Sequence, residues 1–81
     1  MEVLDLFEML KEKFPTCFFT HKGKLIKIHL ESYIDGLPAF QFTQFKYPYR
    51  LGLHYTLADL LDEHKFFSDF DKQGEVIIRK E

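Results

Sequence analysis

Between Ala39 and Tyr55 the chain carries Phe40, Phe42, Phe45, Tyr47, Tyr49, Leu51, Leu53 and Tyr55, so large apolar residues fall at every second position apart from one slip between Phe42 and Phe45. Successive side chains of a strand point to opposite faces, and period two is therefore the signature of extended chain laid on a core. A segment of this kind needs further strands to pair with and an apolar layer to cover it. The architecture that follows is sheet plus helices.

The helices are readable from a different period. Val3, Leu6, Phe7, Leu10 and Phe14 follow the i, i+3, i+4, i+7 rule, with Asp5, Glu8 and Glu12 facing water and Pro15 ending the run. Glu2 and Asp5 stand at the positive end of that helix dipole, Lys11 and Lys13 at the negative end. A second helix is predicted to open at Thr56, its hydroxyl capping while Asp59 reaches back, with Leu57, Leu60, Leu61 and His64 as the buried stripe. Lys22-Gly23 suits a two-residue hairpin turn. Ile34-Asp35-Gly36 suits a three-residue loop, and Lys72-Gln73-Gly74 leads into a last strand from Glu75 to Lys80. The expectation is one α+β domain over residues 1–81, in the order α-β-β-β-α-β, with an antiparallel sheet of about four strands and two helices on one face.

Directly opposed residues of an antiparallel pair share a face, so the turns assign inside and outside. The Lys22-Gly23 turn pairs Phe19 with Ile26 and Cys17 with Ile28; the three-residue loop pairs Leu30 with Phe40 and Ile28 with Phe42. These registers predict a core face of Cys17, Phe19, Ile26, Ile28, Leu30, Phe40 and Phe42. A two-residue Asp35-Gly36 turn would send Phe40 and Phe42 to the other side, and the three-residue loop is preferred for that reason. The opposite face then carries Phe18, Thr20, Leu25, Lys27, His29 and, without a bulge, Phe45.

Composition narrows the class. A domain of 81 residues buries only about 60% of the surface its unfolded chain exposes, and Cys17 is the one cysteine, so no intrachain disulfide reinforces it. Aromatic mass takes that place: ten Phe and four Tyr, each removing roughly 150–250 Å² from water. Acids at Glu2, Asp5 and Glu8 do not suit a secretory signal. The longest stretch without a charge, Gly36 to Phe45, is far short of the roughly 20 residues of a membrane helix. The reading is a cytoplasmic protein. Net charge is only −2, but Lys22, Lys24, Lys27, Lys46 and Arg50 make the middle basic, while Asp59, Asp62, Glu63, Asp69, Asp71 and Glu75 make the last third acidic.

Catalytic and metal chemistry find little support in this pattern. Cys17 and His21 share a strand face, but a second ligand pair with zinc spacing is missing, and His29, His54 and His64 stand alone. Asp69 to Val76 imitates the start of a calcium loop and then fails, with Gln73 at the fifth place and Lys80 at the twelfth. Asp59, Asp62, Glu63 and His64 read as a solvated helix face rather than an acid-base cluster. No glycine-rich phosphate cradle or nucleophile elbow occurs.

The expectation is therefore a small non-enzymatic binding module without cofactor, metal, membrane or small-molecule substrate. It acts on a protein partner or on a second copy of itself, in the manner of small inhibitor or immunity proteins of phage or mobile elements. Its predicted contact residues are Phe18, Leu25, Lys27, His29, Phe45, Tyr47, Tyr49 and Arg50. The alternative is single-stranded nucleic acid, held by the basic-aromatic segment 45–50 together with Lys22, Lys24 and Lys27.

Overall fold

The computed structural model describes residues 1–42 and 46–81. Its elements run α1 (Val3–Lys13), β1 (Phe19–Lys22), β2 (Leu25–Ile28), β3 (Tyr33–Ile34), β4 (Leu37–Pro38), β5 (Tyr49–Arg50), β6 (Leu53–His54), α2 (Tyr55–Glu63), β7 (Phe66–Phe70) and β8 (Val76–Lys80). The main sheet is antiparallel with strand order β1-β2-β8-β7; β3-β4 and β5-β6 are separate two-stranded ribbons. The α+β class, the four-stranded antiparallel sheet and the two helices are as the sequence predicts.

The inner layer follows from the two periodicities. Phe19, Ile26, Ile28, Val76, Ile78 and Phe66 alternate along their strands with exposed or half-buried neighbours, and all six are buried. They meet Leu6 and Leu10 of α1 and Leu57, Leu60 and Leu61 of α2 in one apolar cluster. At the start of α1 the Asp5 carboxylate accepts a hydrogen bond of 3.2 Å from the Glu2 backbone N–H, satisfying one donor that the helix leaves open. The cap of α2 differs from expectation. Helix begins at Tyr55, and His54 caps it through Nδ1, which accepts from the Thr56 N–H at 3.4 Å and lies 2.9 Å from the Thr56 hydroxyl.

Register is corrected in two places. Lys22 pairs with Leu25 and Phe19 with Ile28, so the turn is Gly23-Lys24, with Gly23 at φ +60, rather than Lys22-Gly23. A glycine at the first central position suits a II′ turn. The second correction is larger. Ile34 pairs with Leu37 across a two-residue Asp35-Gly36 turn with both φ values positive, and no three-residue loop forms. Leu30 is exposed, Phe42 is 75% exposed and Phe40 is half-buried, so none of the three belongs to the fully buried layer predicted for it.

The physical cause lies just before. Glu31 takes φ +67, and Ser32 pins the chain there, its hydroxyl donating to the His29 carbonyl (2.7 Å) and accepting from the Phe18 N–H (2.8 Å). β2 therefore ends at Ile28 and cannot extend into the next hairpin. The place beside β2 goes to Val76–Lys80 instead, and Phe66–Phe70 pairs on the far side of that strand.

Candidate functional site

The outer face of the sheet is built in three rows. Pairing across β1, β2, β8 and β7 sets Lys22, Leu25, Arg79 and Phe67 side by side, then Thr20, Lys27, Ile77 and Asp69. Beyond the strand ends, the His29 N–H donates to the Phe18 carbonyl and the Asp71 N–H to the Glu75 carbonyl, which adds Phe18, His29, Glu75 and Asp71. Leu25 is 43%, Phe67 51% and Phe18 60% exposed. A shallow cavity of about 390 Å³ lies over Thr20, Lys22, Leu25, Lys27, His29 and Ile77.

The polar groups at the middle of this face are bound to one another. Lys27 Nζ stands 3.1 Å from Asp71 Oδ2 and 3.5 Å from Glu75 Oε1. Glu75 Oε2 accepts from the Leu30 N–H (3.0 Å) and lies 3.1 Å from His29 Nδ1. A carboxylate only accepts, so Nδ1 carries a proton, and Nε2 lies 2.7 Å from the Thr20 hydroxyl. Asp71 Oδ1 accepts from the N–H groups of Gln73 and Glu75, both at 2.9 Å. Desolvation pushes the Asp71 carboxyl up, but the bond from Lys27 and those two backbone donors outweigh it and hold its pKa below the usual value. The Leu30 N–H first, then His29 and Lys27, lower Glu75 against its own desolvation. The Lys27 ammonium is raised by its bond to Asp71. Its charge is spent inside the protein.

Phe18, Leu25, Lys27 and His29 are thus brought together as predicted for that face. Tyr47, Tyr49 and Arg50 are not part of it. Tyr47 is 82% exposed and stacks on Tyr55 of α2, ring centroids 6.0 Å apart. The Arg50 guanidinium lies 2.8 Å from both Asp59 and Asp62 of α2, on the helical side of the molecule. Tyr49, predicted as a contact residue, is buried: its hydroxyl donates to the Pro38 carbonyl at 2.6 Å and its ring meets His54 edge-on. Phe45 falls outside the described residues.

Among the residues of this face that escaped the sequence reading are Phe67, Ile77, Asp71 and Glu75. The signal for the first two was the alternation in Phe66–Phe70 and Val76–Ile78. For the acids it was an Asp four residues before a Glu across a turn, opposite Lys27 and His29. Of the metal candidates, the Cys17 thiol donates to the Tyr33 carbonyl and His21 packs on Phe7, ring centroids 5.4 Å apart. Among the described residues no group of three or more His, Cys, Asp or Glu is arranged to hold a metal, and no helix is long and apolar enough to cross a membrane. Comparison with known protein families, with curated proteins and with solved structures finds no match to this chain.

Proposed function

We propose that this chain is a non-catalytic, cytoplasmic protein-binding module whose contact surface is the outer face of its sheet. One observation carries the reading. Leu25, Phe67 and Phe18 are offered to solvent while Lys27, the cation at the middle of the face, is already held by Asp71 and Glu75, which leaves Lys22 and Arg79 in the first row beside Leu25. Apolar exposure around a central cation that is already paired suits a protein surface, whereas a phosphate backbone is held by cations that give up only counterions on binding. The nucleic-acid alternative also loses Arg50 to two aspartates and Tyr49 to the interior.

The test is a comparison of the wild-type chain with a Leu25→Asp, Phe67→Ser double variant. Both side chains are exposed, so melting of the variant stays close to wild type. Capture of a protein partner, or concentration-dependent sedimentation if that partner is a second copy, is lost in the variant. Anisotropy of a labelled single-stranded oligonucleotide stays flat for both proteins. Oligonucleotide binding that weakens steeply with salt overturns the proposal, as does a partner retained by the variant at full strength.

A further inference from the structure

The sheet has a second surface to offer, its β7 edge. Because the Asp71 N–H bonds to the Glu75 carbonyl, the 71/75 pair is a hydrogen-bonded pair, and alternation makes 69/77 and 67/79 the next ones. Phe66, Ser68 and Phe70 therefore turn their N–H and C=O groups away from β8. Among the described residues these groups form no hydrogen bond. By the same parity Phe19 and His21 face outward on β1, but β7 has in addition a groove between its edge and the Arg50–Leu53 turn.

That groove lies between β7 and the Arg50–Leu53 turn. It holds two adjoining recesses of about 120 and 220 Å³, which share Leu51, Leu53 and Ser68. Ala58, Leu61 and Phe66 line the first, Phe70 and Val76 the second. Cavities of this order accept an aliphatic side chain. We infer that the β7 edge is a strand-addition site for an extended segment of a partner protein in which aliphatic residues alternate with Lys or Arg.

Geometry supplies the alternation. In an antiparallel addition, the residues that exchange hydrogen bonds with Phe66, Ser68 and Phe70 share their face, which is the core side where the recesses lie. The intervening residues point to the outer side. There the one charge that β7 itself presents is Asp69, exposed and only loosely paired with Arg79 at 3.6 Å, whereas Asp62 at the first recess is on the helical side and already held by Arg50 at 2.8 Å. Aliphatic groups fill the recesses; a cation meets Asp69. A second copy fits less well, since neither β1 nor β8 alternates aliphatic and basic residues at every position, and an acidic segment would face Asp69. The edge shares Phe67 and Asp69 with the outer face, but its main contacts are the backbone groups of Phe66, Ser68 and Phe70, so amide protection there separates it from binding at Leu25 and Ile77.

Amide hydrogen exchange by NMR tests it. In the protein alone, the amides of Phe66, Ser68 and Phe70 exchange fast while Phe67 and Asp69 are protected. The blocked peptide Val-Lys-Val-Lys-Val slows the first three, and Val-Glu-Val-Glu-Val binds about tenfold more weakly. Ser68→Pro, which removes the central outward N–H at an edge position that tolerates proline, weakens binding of the lysine peptide about tenfold. If that variant fails to fold, Asp69→Lys leaves the backbone intact and should reverse the preference between the two peptides. Protection of Phe66, Ser68 and Phe70 without peptide overturns the inference, whether it is constant or grows with protein concentration as in self-pairing. So does peptide binding confined to Leu25 and Ile77, or no binding of the lysine peptide at millimolar concentration.

Discussion

Lys27, Asp71 and Glu75 make the pH response of this protein predictable at the level of single groups. Asp71 and Glu75 have folded pKa values below their ordinary 3.8 and 4.5, so the stability they contribute is present above that range and lost as pH falls through the folded values. Lys27 is raised above 10.5, so its share is fully present below that pH and lost on going further alkaline. Urea unfolding followed from about pH 7 to pH 2 should show an acid limb that flattens in an Asp71→Asn, Glu75→Gln variant, which is also less stable at neutral pH. An acid limb of unchanged steepness would place its origin elsewhere. Cys17 gives a second test. Burial pushes its thiol from 9.0 up to about 11, so at neutral pH it carries about 100-fold less thiolate than an ordinary cysteine. Alkylation by iodoacetamide should be slower by that order in the folded chain and recover in denaturant.

Elements were legible where local chemistry decided them and obscure where a tertiary neighbour did. The hairpin ribbons turn on one close approach: a Cβ on Gly52 would sit 2.7 Å from the Phe70 ring and 2.9 Å from the Gln41 carbonyl, at φ +86. Gly23, by contrast, has nothing within 4 Å of such a Cβ, and only its φ of +60 resists substitution. Gly23→Ala should then cost about 1 kcal/mol and Gly52→Ala about 2–4 kcal/mol, compared by chemical denaturation. Equal costs would mean that the Phe70 ring moves aside freely. Phe70 also explains why the aromatic run from Phe40 misled. Phe42 stacks on it with centroids 5.0 Å apart, and Phe40 meets it edge-on at 6.0 Å. Those rings alternate because they serve a β7 residue, not because they form a strand of the main sheet. Phe66–Phe70 carries three rings in five residues, but the acids that follow it drew the reading toward a solvated turn. On the outer face the error was harmless. Moving the first turn by one residue slides the pairing by two, which keeps parity, so Phe18, Leu25, Lys27 and His29 stayed together. The Tyr47–Arg50 segment had no such protection, because the placement of Tyr49 and Arg50 depends on Pro38, His54 and the aspartates of α2.

For the whole molecule the decisive contrast is between the two faces of one sheet. A chain of this length has a net stability of about 4–12 kcal/mol, so a single cavity in the shared core consumes a large part of it. Ile26 and Ile78 pair directly at the sheet centre, both fully buried under the helices, while Leu25 and Arg79 beside them face outward. Truncating Ile78 to Ala removes contacts to both layers and should cost about 2–5 kcal/mol. Leu25→Ser, one residue from Ile26 on the same strand, should stay within about 0.5 kcal/mol of wild type because water already reaches it. The two changes separate inside from outside with no knowledge of any partner. If Leu25→Ser proved as damaging as Ile78→Ala in the dilute, monomeric chain, that leucine would be packed and the outer face would not be available for binding. Equal damage only at high concentration would instead mean that the face is buried by another molecule, the state in which a contact surface is expected to matter.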